Sequence, residues 1–599
     1  MLVYGDGVRS EPPREKLAAI VRDVAAVWGA PPGIVRHGEL VAVFIAAGEL
    51  AQGLADLDFE RLGVDARSAT NDAAMRLLIG LARAVGRSWS SGFCDLGESP
   101  LAPLHALQGA AHPEAIDVSR PEGYAFYALY PEAYIAAAKA LAGRPVKIIG
   151  LRSIGTGLAA AVAAGSGQDD AVTVRPAGHP FRRALRLSDG IAADLLSDGG
   201  ADFAVVDEGP GLSGSSFGCV ADFLEDRGVE RRRIHFFPSH QGPLGPEASA
   251  RHRARWDEAR RHVVDFDDLV LRAPMPAHRL ESWVADLVGE AEAPTADLSG
   301  GAWRKLHFRS EADWPPANTQ QERRKFLLRT AGGPWLLKFA GLGRYGAGKV
   351  DIARALASAG FAAPVAGFRH GFIVERWLDD ARPLRGRPVG RRGAIERIGH
   401  YIGFRAKEFP ADRPGASLEK LAAMASRNVG LALGEGFART LAPWNPRLER
   451  LTRHVRPVRT DNRLHPWEWL ISGDRLVKAD GLDHHAAHDL VGCQDIAWDI
   501  AGAAVELDLG EEESERLCTV AEREAGRAVA PELVDFLNVC YLAFQLGAFS
   551  LAADAHAHDP AEAARLRAAT GRYTDRLRRR LAGGHPALAP SGMGEASCA

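Results

Sequence analysis

Sulfur is scarce: the 599 residues hold six cysteines and five methionines. Cys94, Cys219, Cys493, Cys518, Cys540 and Cys598 are scattered, with no Cys-x-x-Cys pair. This excludes a disulfide framework and a thiolate zinc site, and it fits a reducing, cytoplasmic compartment. Long apolar runs are also missing. No stretch approaches about 18 uninterrupted apolar residues, so no membrane-spanning helix is expected. The opening MLVYGDGVRSEPPREK lacks a basic segment followed by an apolar one, so no secretory signal is expected. Charge of one sign is absent too. Lys plus Arg is 73 against 76 Asp plus Glu, a net charge of −3, which argues against chain-wide binding to nucleic acid or a membrane surface. The 64 glycines and 35 prolines show no period, which excludes collagen-like and low-complexity classes.

What is present is enough chain for two to four domains, at roughly 150 residues each. Residues 1–115 read as a helical N-terminal region, with apolar positions at three-to-four spacing in 38–54 and 71–89. Residues 122–143 are helix-like. Short apolar runs at Pro145–Leu151, Ala171–Val174, Asp202–Val206 and Ile234–Phe237 then alternate with helical stretches, the pattern of a parallel sheet. Residues 246–301 read as a connector: a charged helix at 251–262 and a linker at 290–301. Strand-like runs return at KFLLRT, PWLLKFA and HGFIVERWL, and helices dominate after 385. The Gly/Pro/Ser/Ala-rich tail 583–599 is expected to be disordered. The basic stretch 382–393 lacks interleaved aromatics and reads as a solvated loop.

The first chemical constellation is FAVVDEGPGLSGSSF (203–217). A strand delivers Asp207 and Glu208 to its carboxyl end, and a small-residue loop with Ser213, Gly214, Ser215 and Ser216 opens a helix. Backbone N–H groups and the helix dipole there suit a phosphate, and the acids suit ribose hydroxyls. This segment resembles the type I phosphoribosyltransferases. The resemblance implies a 5′-phosphate at Ser213–Ser216 and a ribose at Asp207 and Glu208. It implies a pyrophosphate turn at Arg152, Ser153, Gly155 and Thr156, and a mobile hood carrying Arg175, His179, Arg182 and Arg183. The implied substrate is phosphoribosyl pyrophosphate with Mg2+, and positive charge would meet the leaving pyrophosphate. The acid-to-glycine spacing fits with Glu208 as the first acid and is one residue long with Asp207. An ordinary Gly-rich strand-to-helix loop remains the plain alternative.

The second constellation begins at Lys338 in an apolar strand, continues through HGFIVERWLDD (370–380), and ends in TDNRLHPWEWLISGDRLVKADGLDH (460–484) and QDIAWDIAGA (494–503). A strand lysine can hold nucleotide phosphates while acids on later loops hold Mg2+. The order resembles the aminoglycoside phosphotransferase-like branch of the protein-kinase fold. It implies ATP-binding roles for Lys338, its helix partner Asp351, and the hinge from Glu375 to Trp377. It implies metal binding at Asp480, and loop support from Asp495 and Asp499. Anchored on Leu464-His465-Pro466, the family's catalytic aspartate is Arg463 here and its metal-binding asparagine is Glu468. Arg463 cannot accept a proton, which leaves Asp461, two residues early, as the catalytic acid, and Glu468 as a second metal ligand. The plain alternatives are a snorkelling strand lysine at Lys338, helix caps or exposed charges at Asp495 and Asp499, and, in place of a metal cluster at His484, His485 and His488 beside Asp483 and Asp489, exposed loop histidines.

The fold expected is therefore α/β and α+β multidomain. A parallel-sheet phosphoribosyltransferase-like domain (116–245) follows the helical region, and a two-lobed kinase-like domain (302–582) completes the chain. The function expected is a bifunctional transferase acting on phosphoribosyl pyrophosphate, ATP and a small-molecule acceptor. The alternatives are a phosphoribosyltransferase with a degenerate nucleotide-binding half, a small-molecule kinase with a phosphoribosyl-binding regulatory half, and a non-catalytic scaffold.

Overall fold

The computed structural model describes residues 9–384, 390–411, 413–486 and 491–583. His488, Asp489, the middle of the basic stretch and the tail lie outside the described residues. The helical front end is built on Ile34–Leu62 packed against Ala69–Ser90. The second helix starts where Ser68 accepts the N–H of Asn71 at 3.2 Å, an N-cap that satisfies one orphan donor. Two helices, Ile34–Leu62 and Pro531–Ala555, are long and apolar enough to cross a membrane, which corrects the expectation of no such helix. Polar residues interrupt both, so an uninterrupted run does not reveal them. In each, 72% of the most apolar window is buried within the protein. A helix apolar on all sides is buried on all sides.

Residues 122–143 do not form one helix. They split into Glu122–Phe126 and Pro131–Ala138, because Pro131 has no N–H to continue a helix and starts a new one. The parallel sheet follows, its strands ordered Val172–Val174, Val146–Leu151, Asp202–Val206, Ile234–Phe237, Arg260–Arg261. The last strand is another correction. The charged helix stops at Glu258, and Arg260–Arg261 adds to the sheet edge, where long cationic side chains stay solvated.

The second half opens with an antiparallel sheet ordered Ala296–Asp297, Lys325–Thr330, Gly333–Phe339, Phe372–Arg376, Val365–Arg369. The stretch read as a linker thus supplies an edge strand, held by backbone pairing that composition does not encode. The helix Arg344–Ser358 lies between the second and third long strands in sequence, and a helical lobe completes the half. One continuous apolar cluster runs from Leu17, through one face of the parallel sheet, to Val374 of the antiparallel sheet. The other face of the parallel sheet and the helical lobe have clusters of their own.

Candidate active-site clefts

Strand register creates the larger site. Lys338 lies opposite Ile373, and Glu375 two residues on shares its face of the sheet. The Lys338 side chain is buried, with Nζ 3.3 Å from Asp480 Oδ1 and 3.7 Å from Glu375 Oε2. Burial alone would lower its pKa, but the Asp480 and Glu375 carboxylates outweigh burial and hold it above its ordinary value. Asp480 shows the reverse balance: burial favours its neutral form, and Lys338 holds its carboxyl well below the usual range. Glu375 is farther from the ammonium, and burial raises its pKa. These groups line a cleft of about 670 Å³ between the two lobes. Arg323, Trp377, Arg463, Glu468 and Asp483 also line it, and Tyr127 and Leu212 reach it from the first half.

The helix partner of Lys338 is not where it was expected. Asp351 faces outward and is exposed. Lys349, on the same helix, turns inward instead, its Nζ 3.0 Å from Asp483 Oδ2 and donating to Ala125 O at 3.2 Å. Burial pulls its pKa down to about 8 against the attraction of Asp483. Arg323 Nε donates to the same Asp483 oxygen at 3.2 Å. The helix therefore contributes a cation, and the strand contributes the carboxylate.

Asp461, expected as the proton-accepting acid, is fully buried behind the cleft wall. Tyr401 donates to its Oδ2 at 2.5 Å, His484 Nδ1 lies 3.1 Å from Oδ1, and Lys478 Nζ lies 3.4 Å from Oδ2. Burial would raise its pKa, but Lys478 and His484 hold it far below the ordinary range. A carboxylate so committed anchors the loop and does not face a substrate. Gly481 is required here, because a Cβ would stand 2.5 Å from the Tyr401 hydroxyl and 3.1 Å from Asp461 Oδ2. Asp499 accepts the N–H groups of Asp461 and Asn462 at 2.8 and 2.9 Å, bracing Asn462 in a left-handed conformation at φ 64°. Asp495 caps the helix Ile496–Glu506. Glu468 lines the cleft and accepts from Lys478 at 2.7 Å. His484 is buried, not exposed on a polar loop, because it braces Asp461.

Two overlapping groups have ligand atoms within 4.8 Å of one another: Asp480 with Asp483 and His484, and Asp461 with Glu468 and His484. The carboxylates of Asp480 and Asp483 offer the hard oxygen donors that Mg2+ prefers, on the cleft side.

The first half gathers its expected residues around a closed cradle. Asp207 and Glu208 follow the strand Asp202–Val206. Burial raises Asp207 to about 7 and, with Asp207 beside it, Glu208 to about 8. Glu208 accepts the N–H of Gly123 at 3.0 Å, and Tyr134 donates to the Asp207 carbonyl at 2.9 Å. Gly155 packs so closely that a Cβ would lie 2.8 Å from the Val206 carbonyl. The hood is the hairpin Ala177–His179 with Arg182–Ala184, and its tip closes the cradle. Ser213 and Ser215 both donate to the Pro180 carbonyl, at 3.2 and 2.8 Å, while Gly214 takes φ 62° and Ser216 is half-buried. Arg152 and Arg175 are occupied. Arg152 Nε lies 2.9 Å from Asp56 Oδ1, and its other arm pairs with Asp65. Arg175 Nε donates to the same Asp56 oxygen at 2.8 Å. Thr156 is buried with no hydrogen-bond partner for its hydroxyl among the described residues, and Ser153 is half-buried. His179 and Arg182 are exposed, while Arg183 donates to the Gly178 carbonyl at 3.1 Å.

Sequence reading missed Asp56, Asp65, Lys349, Tyr401 and Arg405, the last of which donates to the carbonyls of Arg459 and Gly481. A charged residue inside an apolar helical stretch was the one available signal, and it applies to Lys349 and Arg405.

No protein-family model matches the sequence, and no curated protein matches it. Solved structures resemble part of it. Choline kinase LicA from Streptococcus pneumoniae is 16% identical with a TM-score of 0.32, covering 43% of this chain and 89% of that one. A putative aminoglycoside phosphotransferase from Ralstonia eutropha is 13% identical with a TM-score of 0.34, covering 51% and 96%. A spectinomycin phosphotransferase solved with ADP and spectinomycin is 9% identical with a TM-score of 0.32, covering 51% and 95%.

Proposed function

We propose that the cleft of the second half binds ATP and transfers its terminal phosphoryl group to a hydroxyl of a small molecule. The observation that carries this reading is the buried Lys338, held between Asp480 and Glu375 on the wall of a 670 Å³ cleft. A buried lysine bracketed by acids is pre-positioned to contact phosphates. Lys338 would leave Asp480 for the nucleotide phosphates. Asp480 and Asp483 would then hold Mg2+, which neutralises charge on the transferring group. Trp377, on the cleft wall after the Glu375 strand, would face the base. Phosphoryl transfer of this kind depends mostly on positioning and electrostatics, and the nucleophile keeps its proton until late. Arg463 on the cleft wall therefore serves as positive charge toward the transferred group, where a proton acceptor was expected. Glu468 is the carboxylate on the same wall that remains to orient the acceptor hydroxyl and to take its proton as the new O–P bond forms, the β–γ bridge breaks and ADP leaves.

A second reading concerns the first half. Asp207 and Glu208, at the carboxyl end of a parallel strand and beside the Ser213–Ser216 loop, support phosphoribosyl pyrophosphate binding there. The closed cradle requires the Pro180 tip to lift and Arg175 to leave Asp56. Calorimetric titration of the full-length protein with each ligand and Mg2+ tests both. ATP binding should vanish in Lys338→Ala and persist in Asp207→Asn, with the opposite pattern for phosphoribosyl pyrophosphate. Absence of ATP binding at millimolar concentration sinks the first reading, and absence of phosphoribosyl pyrophosphate binding sinks the second.

A further inference from the structure

A third cluster of chemistry-bearing side chains lies away from both clefts, at the junction of three parts of the chain. His37 comes from the helix Ile34–Leu62, Glu132 from the first turn of Pro131–Ala138, and His370 from the turn between the strands Val365–Arg369 and Phe372–Arg376. Their exposures are 0%, 1% and 4%. Both imidazoles aim the same nitrogen at one carboxylate oxygen: His37 Nε2 is 2.7 Å and His370 Nε2 3.2 Å from Glu132 Oε1. The second oxygen, Glu132 Oε2, is buried and makes no hydrogen bond among the described residues.

The surroundings are aromatic. Phe93 lies 4.9 Å from the His37 ring, Trp283 5.1 Å and Tyr130 5.0 Å from the His370 ring, centroid to centroid. Among the described residues, His37 and His370 are the only ion-pair partners of Glu132. A carboxylate buried in a dry aromatic box, with one oxygen left without a partner among the described residues, is costly unless a further group meets it. His370 also adopts φ 38°, a strained backbone conformation for a residue other than glycine, and this aims its ring at Glu132. Ser88 Oγ lies 2.9 Å from His37 Nδ1, so the far nitrogen of that ring is already fixed, as it is in ligating histidines.

The geometry points to a structural zinc site formed by His37, Glu132 and His370. Two imidazole nitrogens and the Glu132 carboxylate supply three protein ligands for Zn2+, and the second carboxylate oxygen, at longer range, covers the fourth side of a site closed to solvent. The dication cancels the buried negative charge and uses Glu132 Oε2. Mg2+ and Ca2+ are disfavoured because two of the donors are nitrogen. Since the ligands come from the helical front end, the segment before the parallel sheet, and the antiparallel sheet, the ion would pin the two halves together.

The test is elemental analysis of the full-length protein, purified without a polyhistidine tag or chelator. About one zinc per chain is expected, falling to background in His37→Ala and in His370→Ala. Zinc K-edge absorption of the wild type should show two imidazoles and carboxylate oxygen. This second measurement decides the matter should the variants fail to fold. The proposal is overturned by less than about a tenth of a zinc per chain after dialysis against micromolar Zn2+. It is equally overturned by zinc that stays in folded His37→Ala and His370→Ala, or by an absorption spectrum without imidazole.

Discussion

The acid pair of the first half makes a prediction whose size follows from its burial. In the closed cradle Asp207 rises from 3.8 to about 7 and Glu208 from 4.5 to about 8, chiefly because burial penalises their charged forms. The folded state therefore holds these protons more tightly than the unfolded chain does. The resulting stabilisation is fully present below about pH 4 and is lost as pH climbs through 7 to 8. A carboxyl moved by about three pKa units carries about 4 kcal/mol of this dependence. Each group holds its proton in the folded state only, so the two slopes add: from pH 5 up to the folded values of about 7 and 8 the pair carries about 7 kcal/mol. The perturbation is the double variant Asp207→Asn/Glu208→Gln, which removes both titrations while keeping shape. The assay is urea denaturation of both proteins from pH 5 to pH 8.5. Buried His235, lowered by burial to about 4, titrates equally in both proteins and cancels in the difference. The variant should gain on the wild type by about 7 kcal/mol across that range. A difference that stays within about 0.5 kcal/mol at every pH refutes the claim that the acids are protonated in the closed state.

Other outcomes follow from the same geometry. Asp56→Asn removes the carboxylate that occupies Arg152 and Arg175; the half-freed guanidinium groups should bind inorganic pyrophosphate more tightly by calorimetry, while stability falls by about 3 kcal/mol. Gly155→Ala drives a methyl against the Val206 carbonyl and should cost about 1–3 kcal/mol by denaturant titration, with no change in nucleotide binding by the second half. Tyr401→Phe removes a hydrogen bond to a buried carboxylate and should cost about 1.5–3 kcal/mol, and it should weaken ATP-dependent turnover through the loop that Asp461 anchors.

Much of the backbone was legible from the sequence because its signals are local. The four apolar runs of the first half form the expected parallel sheet, and Lys338 sits in a strand, as the apolar run around it implies. Local signals failed where partners lie far apart in sequence. Helical proximity points to Asp351 as the partner of Lys338, but Glu375 reaches the lysine across the sheet and Asp480 from about 140 residues further on. Asp461 looked like a displaced catalytic acid because spacing does not reveal burial. Tyr401, on a helix 60 residues earlier, and Lys478, on a strand after the loop, enclose it. The occupancy of Arg152 and Arg175 was invisible for the same reason: their partners Asp56 and Asp65 lie about a hundred residues earlier. Edge strands such as Ala296–Asp297 and Arg260–Arg261 are two residues each, too short to leave a hydrophobic period.

The central claim is that the Lys338–Asp480 cleft is a nucleotide site, and its most direct test is titration of the full-length protein with ATP and Mg2+ by calorimetry. The wild type should bind with a dissociation constant below millimolar. Lys338→Met should weaken binding by about 30-fold or more, the effect of truncating one partner of a buried charge pair, and Asp480→Asn should abolish its Mg2+ dependence. Equal ATP affinity in wild type and Lys338→Met, or no heat of binding at millimolar ATP, would contradict it.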